Sequence, residues 1–229
     1  SGTCSAFKYN TILNKSFNNE NNRIKGVGNT TETGTNNSYV IGEFNTVKGY
    51  SRNNIIAGSN NEISNGVNNA TVVGNYGLAQ RDGEFVVGGG GFSGTGKGYS
   101  QNSVISLTGT TINTLTPTSL FVNGDSSTTV IKRNTPTSSI LGAEAKVLGV
   151  RTGGAAGGSV NDRIFLKVEG LIYDTRVDQT TTTIDSFGTV TGWTAAFAFS
   201  GSDLLFQATG ARFMDISWSC TLNVYEIKV

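Results

Sequence analysis

Along the first ninety residues, polar and apolar positions recur with a period of sixteen. The segments Asn21-Asn22-Arg23-Ile24-Lys25-Gly26, Asn37-Ser38-Tyr39-Val40-Ile41-Gly42, Asn53-Asn54-Ile55-Ile56-Ala57-Gly58 and Asn69-Ala70-Thr71-Val72-Val73-Gly74 align without gaps. A degenerate last copy, Gly83-Glu84-Phe85-Val86-Val87-Gly88, arrives two residues early. A fixed period this short predicts a solenoid, in which one unit cannot bury its apolar face alone and so stacks on copies of itself.

Each copy has two halves. Three residues after each glycine stands Asn29, Asn45, Asn61 or Gly77, and two further on Thr31, Val47, Ile63 or Ala79. A second turn follows at Gly34, Gly49, Gly66 or Gly83. The pattern predicts strand, turn, short strand, turn. The apolar runs are too short for a helix and are β-branched, which favours strands. Asn and Gly suit the corners because both tolerate left-handed backbone. Stacked Asn side chains are also expected to bond along the coil axis. The composition changes where the repeat ends: 18 Asn lie in residues 1–80 and 6 in residues 81–229.

The first strand of each copy is apolar on consecutive positions, as in Tyr39-Val40-Ile41, Ile55-Ile56-Ala57 and Val72-Val73. A strand apolar on both faces is buried on both faces. One narrow coil has one interior, so the other face is expected to meet neighbouring chains, most simply by three-fold closure. The alternative is a monomeric solenoid with an apolar outer stripe. Asn37-Ser38-Tyr39-Val40-Ile41-Gly42 resembles the recurring N-S-V-A-I-G element of trimeric-adhesin head repeats. That resemblance, over about residues 21–90, implies a trimeric left-handed parallel β-roll of a kind also similar to coils in phage tail fibres.

Residues 88–99 are glycine-rich and break the repeat, which reads as a joint or wide loop. Residues 91–97 match the start of a phosphate loop, but Gly98 stands where magnesium needs Ser or Thr, and no strand-to-helix context follows. Beyond them, strands are expected at Ser103–Leu107, Ser119–Val122, Thr128–Lys132, Arg163–Tyr173, around Trp193–Phe199, at Leu204–Ala208, and from Asp215 to about Ile227. Ala143–Leu148 reads as a turn at most, and the polar Asp174–Asp185 stretch as a loop. Alternation with a period of two predicts an antiparallel sandwich or jelly roll. The expected domains are 1–88 for the coil, 89–112 for the connector and 113–229 for a C-terminal knob. The succession of Thr116–Gly124, Phe165–Ile172, Trp193, Leu204–Gly210 and Ile216–Ile227 with Trp218 resembles a C-terminal jelly-roll module of phage virion proteins. Ala211-Arg212-Phe213-Met214 departs from that module, which usually carries charges there.

Composition narrows the chemistry. The chain has 229 residues, a formal net charge of +1 and no histidine. Near-neutrality argues against a nucleic-acid partner. No apolar run approaches a membrane span of about 18–20 residues, so no membrane insertion is expected. Ser1-Gly2 reads like a cut end, and Ile12, Leu13 and Phe17 like contacts of a capping turn. Cys4 and Cys220 are too few for a disulfide framework in a chain this long, and the alternating run around Cys220 predicts a buried thiol. Lack of histidine removes the usual general base and the commonest metal ligand. No catalytic residue, cofactor or metal site is therefore expected. The repeats offer Glu20, Glu32, Glu43, Glu62, Asp82 and Glu84 as the carboxylates of a possible glycan-cleaving tailspike. Trp193 and Trp218 fall on apolar faces and are expected in the core. Arg176, Asp178, Asp203 and Arg212 are the candidate receptor-binding residues, because loop charges on a rigid scaffold are where recognition concentrates.

These features together predict the homotrimeric tip of a phage tail fibre, a non-enzyme on the virion that attaches to a bacterial surface glycan or outer-membrane protein. The alternatives are a bacterial trimeric adhesin head, a polysaccharide-degrading tailspike and a purely structural virion protein.

Overall fold

In the computed structural model each sixteen-residue repeat forms one rung of a parallel β-solenoid. The structure describes residues 5–6, 11–12, 21–90, 96–122, 124, 139–174, 176–200 and 203–228. Leu13, Phe17, Glu20, Cys4, the strand expected at Thr128–Lys132 and most of the phosphate-loop match lie outside them. Among the described residues there is no helix. The chain divides into two compact units, Ser1–Val104 with Tyr225–Val229, and Ile105–Val224.

In the first unit, β1 (Ser5–Ala6), β3 (Arg23–Val27), β5 (Tyr39–Glu43), β7 (Ile55–Ser59), β9 (Thr71–Asn75) and β11 (Phe85–Gly89) pair in parallel as the long side of the coil. Strands β2 (Thr11–Ile12), β4 (Thr30–Thr31), β6 (Thr46–Val47), β8 (Glu62–Ile63) and β10 (Leu78–Ala79) form the short side. Register is the repeat itself: Val40 lies opposite Ile56 and Ile56 opposite Val72. The early last copy still aligns Val86 with Val72. Ile24, Val40, Ile56, Val72 and Val86 stack inside against Val47, Ile63 and Ala79, all buried.

Polar rows run beside this core. Asn45 Nδ2 donates to Asn29 Oδ1 (3.0 Å) and to the Gly58 carbonyl (2.8 Å), and Asn61 repeats the pattern on Asn45 and Gly74. These buried asparagines satisfy carbonyls that the corner takes out of the ladder. An exposed row, Asn21, Asn37, Asn53 and Asn69, is linked at 3.2 Å per step. The glycine row is steric. Gly42 has φ +119°, and a Cβ there would meet the Gly58 carbonyl oxygen of the next rung. The last rung is closed by polar groups: Gln101 bonds both the N–H and the carbonyl of Leu78, and Arg81 pairs with buried Glu84.

The second unit is antiparallel. Strand β12 (Ser100–Ile112) begins in the first unit, where Phe85 lies opposite Val104, and continues into the second. One sheet there runs β12, β20 (Asp215–Lys228), β15 (Ser139–Gly153), β16 (Arg163–Tyr173) and β17 (Arg176–Phe187), with β14 (Phe121–Val122) on β12. The other runs β13 (Thr118–Ser119), β19 (Asp203–Thr209) and β18 (Thr194–Ser200). Side chains of both sheets share one core, with Trp193 and Trp218 edge to face at 5.9 Å and Phe197 against Phe206 at 4.9 Å. This is the expected antiparallel sandwich; a jelly roll is a narrower topology that the strand order does not establish.

Two local expectations are corrected. Ala143–Leu148 is not a turn but the middle of β15, with Ala143, Ala145 and Val147 buried opposite β16. Asp174–Asp185 is not a loop: β17 pairs with β16 from Arg176 to Phe187. Its residues are almost all exposed, so the run carries no apolar alternation, and β-branched Thr180–Thr183 still favours extended backbone.

Candidate functional site

Of the four candidate recognition residues, Arg176 opens β17 and Asp178 follows it on the same exposed face. The Arg176 guanidinium lies 5.8 Å from the Tyr173 ring centroid, and the Tyr173 hydroxyl donates to Asp178 Oδ2 at 3.0 Å. That bond holds the Tyr173 phenol above its usual value, with the Arg176 charge opposing it. Asp203 opens β19 opposite Ser200. Gln179 bonds the Phe197 backbone and Thr181 the Ala195 carbonyl, which fixes the direction in which β17 runs along β18. The register therefore brings Arg176, Asp178 and Asp203 to one end of the sandwich. Arg212 is exposed in the turn before Met214, past the Thr194–Thr209 pair, and so lies at the other end.

Trp193 and Trp218 are core residues, and the Trp218 indole donates to Thr111 Oγ1 at 3.0 Å. Cys220 is a buried free thiol, pushed up to about 12 by burial. Arg151 and Asp162 form a buried pair whose guanidinium also donates to the carbonyls of Gly153, Gly154, Ala156 and Gly157. That arrangement clasps a glycine-rich loop. Nothing in the sequence marked Arg151 for this role, since its loop partners are backbone.

The coil presents two further surfaces. On the long side, Arg23, Tyr39, Ile55 and Phe85 occupy one outward row, and an open depression of about 540 Å³ is lined by Asn21, Arg23, Asn37 and Tyr39. From the sequence, Asn21 and Asn37 are expected as corner and stacking residues, not as the lining of a depression. On the short side, Glu32 pairs with Lys48 (3.2 Å) and Glu62 with Lys97 (3.1 Å). The hydrogen bond to Glu32 raises the Lys48 ammonium above its usual value, and the Glu62 charge adds to it. Glu43 ends β5 on the surface, whereas Glu84 is consumed by Arg81. Among the described residues no cluster of three or more metal-ligating side chains forms.

No protein-family model matches the chain, and no curated protein matches it. Among solved structures it is similar to the tailspike protein of Acinetobacter phage vB_ApiP_P1, with 8% identity, a TM-score of 0.27, and 91% of this chain matched to 50% of that one. It is similar to the tailspike of Acinetobacter baumannii phage AM24, with 10% identity, a TM-score of 0.29, and 95% matched to 45%. A third is the tailspike of Acinetobacter baumannii bacteriophage Fri1, a capsular polysaccharide depolymerase, with 8% identity, a TM-score of 0.24, and 89% matched to 41%. The chain thus spans about half the length of these structures or less. The expectation of a non-enzyme is corrected: one of these similar structures, the Fri1 protein, is a capsular polysaccharide depolymerase. Glycoside cleavage needs two carboxyl groups and no imidazole, so the lack of histidine was never grounds for excluding it.

Proposed function

We propose that this chain is part of a bacteriophage tail protein, carried on the virion as a homotrimer, that engages polysaccharide at a bacterial surface. The observation that carries the reading is the sixteen-residue coil with an apolar outward face. Tyr39 is 40%, Ile55 45%, Phe85 41% and Val87 41% exposed in the single chain. These residues lie on two neighbouring rows of the long side, one of which also holds Arg23 and Thr71, and that face fits closure by copies of the same coil, the arrangement implied by the resemblance to adhesin and tail-fibre repeats. Three copies turn weak single-site contacts into avidity. Arg176, Asp178 and Asp203, gathered at one end of the sandwich, form one recognition surface in this reading.

Cleavage of the bound polymer belongs to the same proposal. Glu32 and Glu62 are the carboxylates to substitute first, since both stand on the outward short side of the coil and Glu84 does not. The test incubates the full chain with purified capsular polysaccharides from a panel of bacteria and follows binding and polymer size together. Binding is expected for at least one polymer and weakens with Arg176→Ala plus Asp178→Ala. A fall in polymer size that Glu32→Gln or Glu62→Gln abolishes assigns the chemistry. No binding to any member of the panel, by protein of the right mass, would sink the proposal.

A further inference from the structure

Two corner rows of the coil require left-handed backbone on every rung. One contains Gly28 (φ 68°), Phe44 (54°), Asn60 (56°) and Tyr76 (59°). The other contains Gly34 (79°), Tyr50 (58°), Gly66 (75°) and Gly83 (67°). Glycine and asparagine fill such positions at little cost, whereas a bulky side chain there is an outlier because its Cβ crowds the neighbouring carbonyl. Gly28 and Asn60 in one row, and Gly34, Gly66 and Gly83 in the other, show that these corners close without an aromatic residue; Tyr76, half-buried, is a third aromatic among them. Phe44 and Tyr50 nevertheless stand at these corners, 55% and 70% exposed. Strained residues of this kind persist where they serve something other than folding.

Their surroundings suit a ligand. A Cβ on Gly28 would touch the Phe44 ring at 2.5 Å, and one on Gly34 would touch the Tyr50 ring at 3.0 Å. Each ring is therefore seated on a bare glycine of the preceding rung, and each residue is more than half exposed. Both corners bound the short side of one rung, and between them Thr46 and Lys48 point outward, with Thr30 and Glu32 one rung below. The Glu32–Lys48 pair at 3.2 Å leaves this floor without net charge, and Glu32 also accepts from the Gly49 N–H at 3.2 Å. Phe44 and Tyr50 stand six residues apart, so they are separated by less than the roughly 20 Å of a fully extended run at about 3.3 Å per residue, which is the scale of a short run of sugar units.

We infer that Phe44 and Tyr50 are stacking platforms for pyranose rings of a glycan chain that lies across the short side of the coil, over Thr30, Glu32, Thr46 and Lys48. The negative face of an aromatic ring attracts the polarised C–H face of a sugar, while hydroxyl, carboxylate and ammonium groups below take its hydroxyls. A protein partner fits less well, because an interface core is apolar and closely packed and this floor is polar. The uncharged floor selects a polymer rich in neutral hexoses. The site lies on a different side of the coil from the apolar face assigned to trimer closure, so both can be occupied together. The inference rests on the polysaccharide reading above and places a second site on the coil, apart from Arg176 and Asp178.

The test substitutes each ring by its row mates: Phe44→Asn, Tyr50→Gly and the double variant, in the full chain. Affinity is measured on an array of purified capsular polysaccharides, and melting temperature and mass are recorded beside it. The expected result is an unchanged mass, an unchanged or higher melting temperature, and at least a tenfold loss of affinity for the double variant. Phe44→Tyr should retain binding. Wild-type affinity in the double variant overturns the site while leaving the polysaccharide reading intact. A lower melting temperature with loss of the oligomer overturns it too, because the rings would then be structural covers for Gly28 and Gly34. A wild-type protein that binds no polymer overturns the functional reading and this site with it.

Discussion

Gly42 shows how one atom sets the geometry of the coil. Its left-handed backbone and the carbonyl of the next rung leave no room for a Cβ. Gly42→Ala should therefore cost on the order of 2 kcal/mol or more, read as a lower denaturation midpoint. This requirement was legible in the sequence, because glycine recurs at the same place in four copies. The Arg81–Glu84 and Arg151–Asp162 pairs were not, because buried charges carry no periodic signal and each partner was found only by folding. Cys220 tests burial at the same scale. Its thiol is pushed from 9.0 to about 12, so the folded state holds its proton longer than the unfolded state does. The stability this contributes is intact below about pH 9 and lost as pH rises toward 12. At pH 8 iodoacetamide should leave Cys220 unmodified in native protein and label it in denaturant, as mapped by mass spectrometry. Rapid labelling of the native protein would contradict the burial.

At the scale of the element, the rung is held by one apolar row and one amide row. Ile56→Asp would bury a charge without a partner among Val40, Val72 and Ile63, at a cost of about 3 kcal/mol or more. Normal melting for that variant would show that the row is not packed. Asn45→Ala orphans the Gly58 carbonyl and the Asn61 N–H, about 2–6 kcal/mol in total at about 1–3 per group. Asn37→Gly, in the exposed row, should stay within about 0.5 kcal/mol, since glycine accepts the same corner. Urea titration of the pair checks the contrast, and equal losses would mean that the two asparagine rows do not differ as burial implies. Strands of the coil, and strands such as β16, could be read in advance because their alternation is strong. Strand β15 was hidden because its inward residues include small alanines and its run contains Gly142 and Gly149. Strand β17 was hidden because exposure on both faces removes the alternation. Phe44 and Tyr50 escaped notice because a corner is recognised by its glycines: the Phe44 corner has none, and at the other corner Gly49 marks the turn while Tyr50 takes the left-handed position.

At the scale of the molecule, one unit is a coil with an apolar outer face and the other a sandwich that gathers Arg176, Asp178 and Asp203 at one end. In the proposed reading, further chains cover the apolar face, and a glycan lies on the polar short side between Phe44 and Tyr50. Size-exclusion chromatography of the full chain with light scattering, run alone and with each polysaccharide of the panel, reads both at once. Three times the 24.0 kDa chain mass is expected for the free protein, with co-elution at higher mass with at least one polymer unless cleavage shortens that polymer in the same run. A 24.0 kDa species, or a trimer that neither co-elutes with any polymer nor shortens one, would contradict the proposed reading.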